Sequence, residues 1–319
     1  MPITNYPNGF TNGVTVRGLP ITLAHPGEVF WVNSSTVLPT GGVGGSDSGK
    51  GTYQRPFSTI DYAIGRCTAS RGDIIMVMPG YTEDIAVASG ITLDVPGVAI
   101  VGLGVGSLRP TITFSETAST IVISAANCSI INMVFEAAKA EVVTGISLTA
   151  DADGTSFEAI ESYEGAAAGT YNFVDFTTLA TGANNLSWKD CKFIGKDASN
   201  DAFITGVAHQ GFYVDNCYFA ANIAQTAANG LIDSSGNITD MVITNSYFRS
   251  NIDGAKFIIS GGAANSGHVV NCHFSSLDVA GAVAGGFDIT GAHCFECYVA
   301  GEPDSFGIVG GGTVYGDGA

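Results

Sequence analysis

The chain has 319 residues, and its 29 acidic side chains against 12 basic ones give a formal charge of −17. That imbalance repels a polyanion, so no nucleic-acid partner is expected. Hydrophobic residues reach 45%, yet no run approaches the roughly 18 unbroken apolar residues of a membrane-spanning helix, so no membrane partner is expected either.

Apolar residues come instead in short runs of strand length, separated by Gly, Asn, Asp and Ser, with 43 glycines in all. Such punctuation predicts a strand-rich protein. The opening "MPITNYPNGF" has neither the basic nor the apolar region of a signal peptide, which predicts synthesis in a reducing cytoplasm without export. Next, "GGSDSGKGT" (44–52) places Gly44, Gly49 and Lys50 as a phosphate-binding loop would. Gly51 occupies the hydroxyl position, however, and "TYQRP" blocks the helix that must follow. The stretch reads as a flexible Gly-rich linker, and no cofactor is expected.

Pro56 halts what precedes it, and Ser58 is a candidate N-cap for a short helix. Ile60, Ala63, Ile64 and Cys67 fall on one face of that helix. "GDIIMVMPG" then reads as a short buried strand ended by a turn. A helix placed there would cover the open end of whatever strand stack follows.

From residue 132 onward the chain repeats itself. "YVDNCYF" (213–219), "VITNSYF" (242–248) and "HVVNCHF" (268–274) share one frame: apolar, any, Asn, small, polar or aromatic, Phe. Phe219 to Phe248 is 29 residues and Phe248 to Phe274 is 26. "WKDCKF", "CFECYV" and "IINMVF" extend the frame in both directions. The gap of 58 between Phe135 and Phe193 predicts a degenerate copy between them, with Glu161, Ser162 and Glu164 in the Asn, Cys and Phe slots. A period of about 25 to 29 residues built from short strands is the signature of a solenoid, and the alternation within each copy makes it an all-β, parallel β-helix.

Alternation also assigns the faces. An inward stack is predicted for Met133, Cys191, Cys217, Ser246, Cys272 and Cys297, beside an aromatic stack of Phe135, Phe193, Phe219, Phe248 and Phe274. Asn132, Asp190, Asn216, Asn245 and Asn271 fall where the strand bends, as a ladder of residues that tolerate the left-handed conformation. Outward positions carry Lys192, Tyr218, Tyr247, His273 and Tyr298. The tyrosines Tyr218, Tyr247 and Tyr298 are the interface candidates.

Catalytic chemistry finds little support. The acidic residues are scattered, with "DADG" (151–154) the densest group, and Asp201 with Asp233 or Asp253 with Asp278 the pairs that adjacent coils could bring together. Each reads more simply as a solvated turn, so no catalytic residue is expected. The five histidines (His25, His209, His268, His273 and His293) read as exposed positions on strands or turns, with His268 and His273 on opposite strand faces; no metal site is expected. Seven cysteines cannot pair completely within one chain, and Cys294 and Cys297 read as buried thiols.

The segment "GT..RPF.TI..AI" followed by "GD.I.V.PG.Y.E.I" resembles the opening of pectin-lyase-like, right-handed parallel β-helix proteins, and "VPGVAIVGLG" (95–104) resembles their next coil. "ITNYPNGFTNGVTVRG" with "HPGEVFWVNSS" is similar to bacteriophage virion proteins that carry this β-helix. The resemblance implies a single-stranded right-handed parallel β-helix with an N-terminal capping helix. It divides the chain into a virion-attachment segment and linker (1–57), capping helix and β-helix (58–300), and a Gly-rich tail (301–319), loosely ordered or packed on a partner. It implies a structural virion protein, made in the cytoplasm of the host bacterium and displayed on the virion surface. That protein would be a homotrimer decorating the capsid as a head fibre and gripping the major capsid protein through its N-terminal segment. The alternative is a tail-associated receptor-binding protein that binds or cleaves host glycan.

Overall fold

The computed structural model describes residues 15–16, 19–20, 27–34, 43–165, 171–195, 202–221, 231–250, 257–276, 287–288, 291–300, 307–309 and 312–313. Apart from a two-stranded pairing of Thr15–Val16 with Leu19–Pro20, their strands form three long sheets that wind into one parallel β-solenoid. Sheet I has eleven strands, sheet II ten and sheet III eight. One coil runs from sheet I to sheet II to sheet III: for example Leu186–Lys189, Lys192–Gly195 and Ala202–Gly206, each paired in parallel with its counterpart in the next coil.

The corner from sheet I into sheet II is short in the coils that carry the heptad, and it explains the repeat. A single residue with positive φ turns the chain: Asn132 (55°), Asp190 (55°), Asn216 (51°), Asn245 (50°), Asn271 (52°) and Glu296 (52°). Asn and Asp bear this conformation better than most residues because their short polar side chains bond locally. Here those side chains also bond from coil to coil. Asn216 Nδ2 donates to Asp190 Oδ1 (2.6 Å), and Asn271 Nδ2 donates to Asn245 Oδ1 (2.8 Å).

The degenerate copy is shifted by two residues from the frame expected of it. Ala159, not Glu161, takes the positive φ (53°), and Phe135 pairs with Ser162, which therefore stands in the Phe slot. The coils on either side are unequal, 27 residues from Asn132 to Ala159 and 31 from Ala159 to Asp190, so halving the gap misplaces the corner. A slip of two leaves the inward set inward, and Ser162 and Glu164 are both buried.

Inside, Phe193, Phe219, Phe248 and Phe274 stack at centroid spacings of 4.7, 4.7 and 5.0 Å. Phe135 stands apart from this column because Ser162 intervenes. Phe176, from sheet III, fills the gap and touches both neighbours, at 5.7 Å from Phe135 and 5.6 Å from Phe193. Met133, Cys191, Cys217, Ser246, Cys272 and Cys297 are all buried beside the column. Burying rings on rings at the strand repeat of ~4.8 Å is what a coil gains only from a neighbour like itself.

Both ends of the stack are covered. At the start, Thr59, and not Ser58, caps the Ile60–Ile64 helix, its hydroxyl accepting from the Tyr62 N–H. Ile60, Ala63 and Ile64 are buried and Cys67 is partly so. The solenoid also begins earlier than the division at residue 58 implies, because Val29–Val32 already pairs in parallel with Ile74–Val77 as the first strand of sheet I. The Gly-rich stretch after it is held in place by backbone bonds, among them Trp31 N–H to the Gly51 carbonyl (2.8 Å) and Gly45 N–H to Ser34 (3.2 Å). It is a folded loop rather than a free linker. At the far end, Gly307–Val309 and Gly312–Thr313, within the tail, pair antiparallel with the last strands of sheets II and I. Reversed pairing of this kind closes an edge that would otherwise template further strands.

Candidate functional site

The outer face of sheet II, with the corner beside it, gathers the exposed chemistry of the described residues. Its first half is polar. Arg109, 16% exposed at the side chain, lies across three coils. Its Nε donates to Asn132 Oδ1 (2.9 Å), Nη1 to Glu161 Oε2 (3.0 Å), and Nη2 to the carbonyls of Met133 (3.0 Å) and Ala159. Glu161 is held on its other oxygen by Lys192 Nζ at 3.2 Å. One register step away, Tyr163 bonds to Glu136, and burial, aided by that carboxylate, pushes the phenol up to about 12. Arg109, Thr111, Val134, Glu161 and Tyr163 line a groove of about 460 Å³.

Arg109 here acts as a corner brace. Its fork binds carbonyls at two consecutive bends, and its charge is matched by Glu161. Its partners lie 23 to 52 residues away, and no local pattern announces them. The "DADG" group itself is a turn: Asp153 Oδ1 accepts from the Asn184 N–H at 2.7 Å.

The second half of the face is aromatic. Tyr218, Tyr247, His273 and Tyr298 stack outside as the phenylalanines do inside, at 5.3, 6.3 and 4.9 Å. Tyr298 is 45% exposed. Across the corner, on sheet I, His268 stacks on His293 at 5.8 Å near the exposed Phe295. His268 and His273 therefore both face outward. Five residues of simple alternation would oppose them, but the left-handed bend at Asn271 lies between and resets the phase. Along the corner, bonds from Thr244 and Asn245 hold the Asp215 carboxyl below the usual range.

Other candidates resolve differently. His209 is buried rather than exposed: Nε2 accepts from the Val207 N–H (3.0 Å) and Nδ1 contacts the Ala183 carbonyl (3.2 Å). Its ring fits because residue 206 is glycine; a Cβ there would lie 2.0 Å from Nε2. Lys50 is followed by a turn and not by a helix. His25, Asp201, Asp253 and Asp278 lie outside the described residues. Among the described residues no three His, Cys, Asp or Glu side chains gather as a metal would require, and no helix is long and apolar enough to cross a membrane.

No family model matches the chain, and no curated protein matches it. Among solved structures, its fold is similar to that of a pectin methylesterase in complex with a hexasaccharide, at 14% identity and a TM-score of 0.48, over 77% of this chain and 78% of that one. It is similar also to a rhamnogalacturonan lyase, at 11% identity and a TM-score of 0.46, over 89% of each chain. A third similar structure is ORF18 of Geobacillus virus E2, at 14% identity and a TM-score of 0.40, over 76% of this chain and 57% of that one. At these identities the likeness is one of fold alone.

Proposed function

We propose that the chain is a structural component of a bacteriophage particle: a stiff rod, assembled as a homotrimer, that decorates the capsid surface and is gripped through its N-terminal segment. The outer ladder of Tyr218, Tyr247, His273 and Tyr298 carries this reading. Its inner rings, Tyr247 and His273, already spend both faces on their neighbours, which leaves a sugar little to stack on. Edges and hydroxyls remain, and a flat row of these suits a protein neighbour, since Tyr combines apolar area with a polar handle. The phage assignment itself rests on the resemblance of the N-terminal sequence. Light scattering on the purified chain at micromolar concentration tests the assembly: a three-chain mass is expected, falling to one chain in Tyr247→Lys. A wild-type monomer would overturn it.

One feature favours a second reading, in which the protein sits on the tail and binds or cleaves host polysaccharide. Glu161 lines the groove and Glu136 bonds to its Tyr163, and two carboxylates at one groove are what glycoside hydrolysis uses. Glu161 is ion-paired on both oxygens, which suits an ionised nucleophile or base and not a proton donor. Release of reducing ends from host polysaccharide, lost in Glu161→Gln, would favour this role over the scaffold.

A further inference from the structure

Directly after each left-handed corner stands one inward residue. In four coils it is cysteine: Cys191, Cys217, Cys272 and Cys297, each between 0% and 3% exposed and each a free thiol. The coils stack them in two pairs, with Ser246 between the pairs. The Tyr218 N–H donates to the Cys191 carbonyl, and the Tyr298 N–H to that of Cys272, both at 2.9 Å. Cys191 lies beside Cys217, and Cys272 beside Cys297, in register. In-register neighbours in a parallel sheet lie ~4.8 Å apart, inside the roughly 4.4–6.8 Å between the Cα atoms of a disulfide. Each of the four thiols donates to a backbone carbonyl, as Cys217 does to Asp215 and Cys272 to Val270, both at 3.4 Å.

We propose that Cys191–Cys217 and Cys272–Cys297 are oxidisable dithiols, each closing on exposure to peroxide into a disulfide that staples one coil to the next. The Cys297 thiolate attacks one oxygen of hydrogen peroxide; the S–O bond forms, the O–O bond breaks, and hydroxide leaves. Cys272 sulfur then displaces the sulfenic oxygen. The S–S bond forms, the S–O bond breaks, and the Cys272 proton leaves with that oxygen as water. Two thiols lose two electrons and one peroxide becomes two waters. The roles of the two sulfurs can exchange, and the same two steps close Cys191–Cys217. Cys294 lies in the same coil as Cys297, and a link there would join no coils.

The folded full chain, treated with hydrogen peroxide, alkylated in denaturant and mapped as unreduced peptides, tests this. Cys272–Cys297 and Cys191–Cys217 links are both expected. Each link should remove the mass of two hydrogens and raise the melting temperature, and dithiothreitol should reverse both effects. Ser246 shows that serine fits the same inward slot, so Cys272→Ser should fold and lose only the C-terminal link. Seven alkylated cysteines after peroxide, or a Cys294–Cys297 link in place of Cys272–Cys297, would overturn the proposal.

Discussion

At the scale of single residues, the corner sets the terms. A side chain other than Gly, Asn or Asp costs about 1–2 kcal/mol in the left-handed region, and Asn245 spends that position on a bond to Asp215 (2.8 Å) while accepting from Asn271. Asn245→Gly should therefore lose the bonds and keep the turn, and chemical denaturation should find it within about 1 kcal/mol of wild type. Asn245→Val, which loses both, should fall further. Equal losses would mean that the bonds, and not the backbone, govern the corner. His209 gives a pH test. Burial holds its pKa below that of an unfolded histidine, so the unfolded chain takes up protons more readily in between. Its contribution is complete above roughly pH 6.5 and is lost as pH falls through that window. Melting temperature should drop from pH 7.5 to 5.5 in wild type and change less in His209→Gln, which starts lower. Sequence gave no sign of this burial, because the room for the ring comes from Gly206, three residues back and on the preceding sheet.

At the scale of strands and sheets, the interior column is the main source of cohesion. Phe219 is fully buried between Phe193 and Phe248, and Phe219→Ala should cost ~3–5 kcal/mol in the unfolding free energy. A melting temperature close to wild type would mean that the column can be opened without penalty. Inward and outward positions were legible wherever the heptad is intact, because a strand alternates with period two and the Asn marks each restart. What could not be read was the partner from a different sheet. Phe176 belongs to no heptad, and only the winding carries it into the gap at Ser162. Arg109 is similar: its four acceptors come together through coil stacking, with no local spacing to betray them. Arg109→Ala should take the donor from the Ala159 carbonyl and leave Glu161 to Lys192 alone, costing about 1–3 kcal/mol in chemical denaturation. Arg109→Lys should rescue only part, since an ammonium cannot fork to the same set.

At the scale of the whole molecule, fold class and the start of the repeats were readable from the sequence, while both ends were misjudged. Val29–Val32 and the loop after it looked like an attachment segment because four residues and a Gly-rich stretch carry no periodicity; pairing with Ile74–Val77 makes them part of the first coil. The tail looked loose for the same reason, yet parts of it close the final edge. Formal charge adds a constraint on assembly. In the proposed trimer three chains at −17 each would repel one another, so its fraction should rise with salt as screening shortens the repulsion; a trimer that dissociates in salt would point to ion pairs and away from the aromatic ladder. Electron microscopy of purified phage particles, labelled with an antibody against the solenoid, tests the proposed role most directly. Label at regular positions on the capsid surface is the predicted result, and bare particles alongside antibody-reactive protein free in the lysate would contradict it.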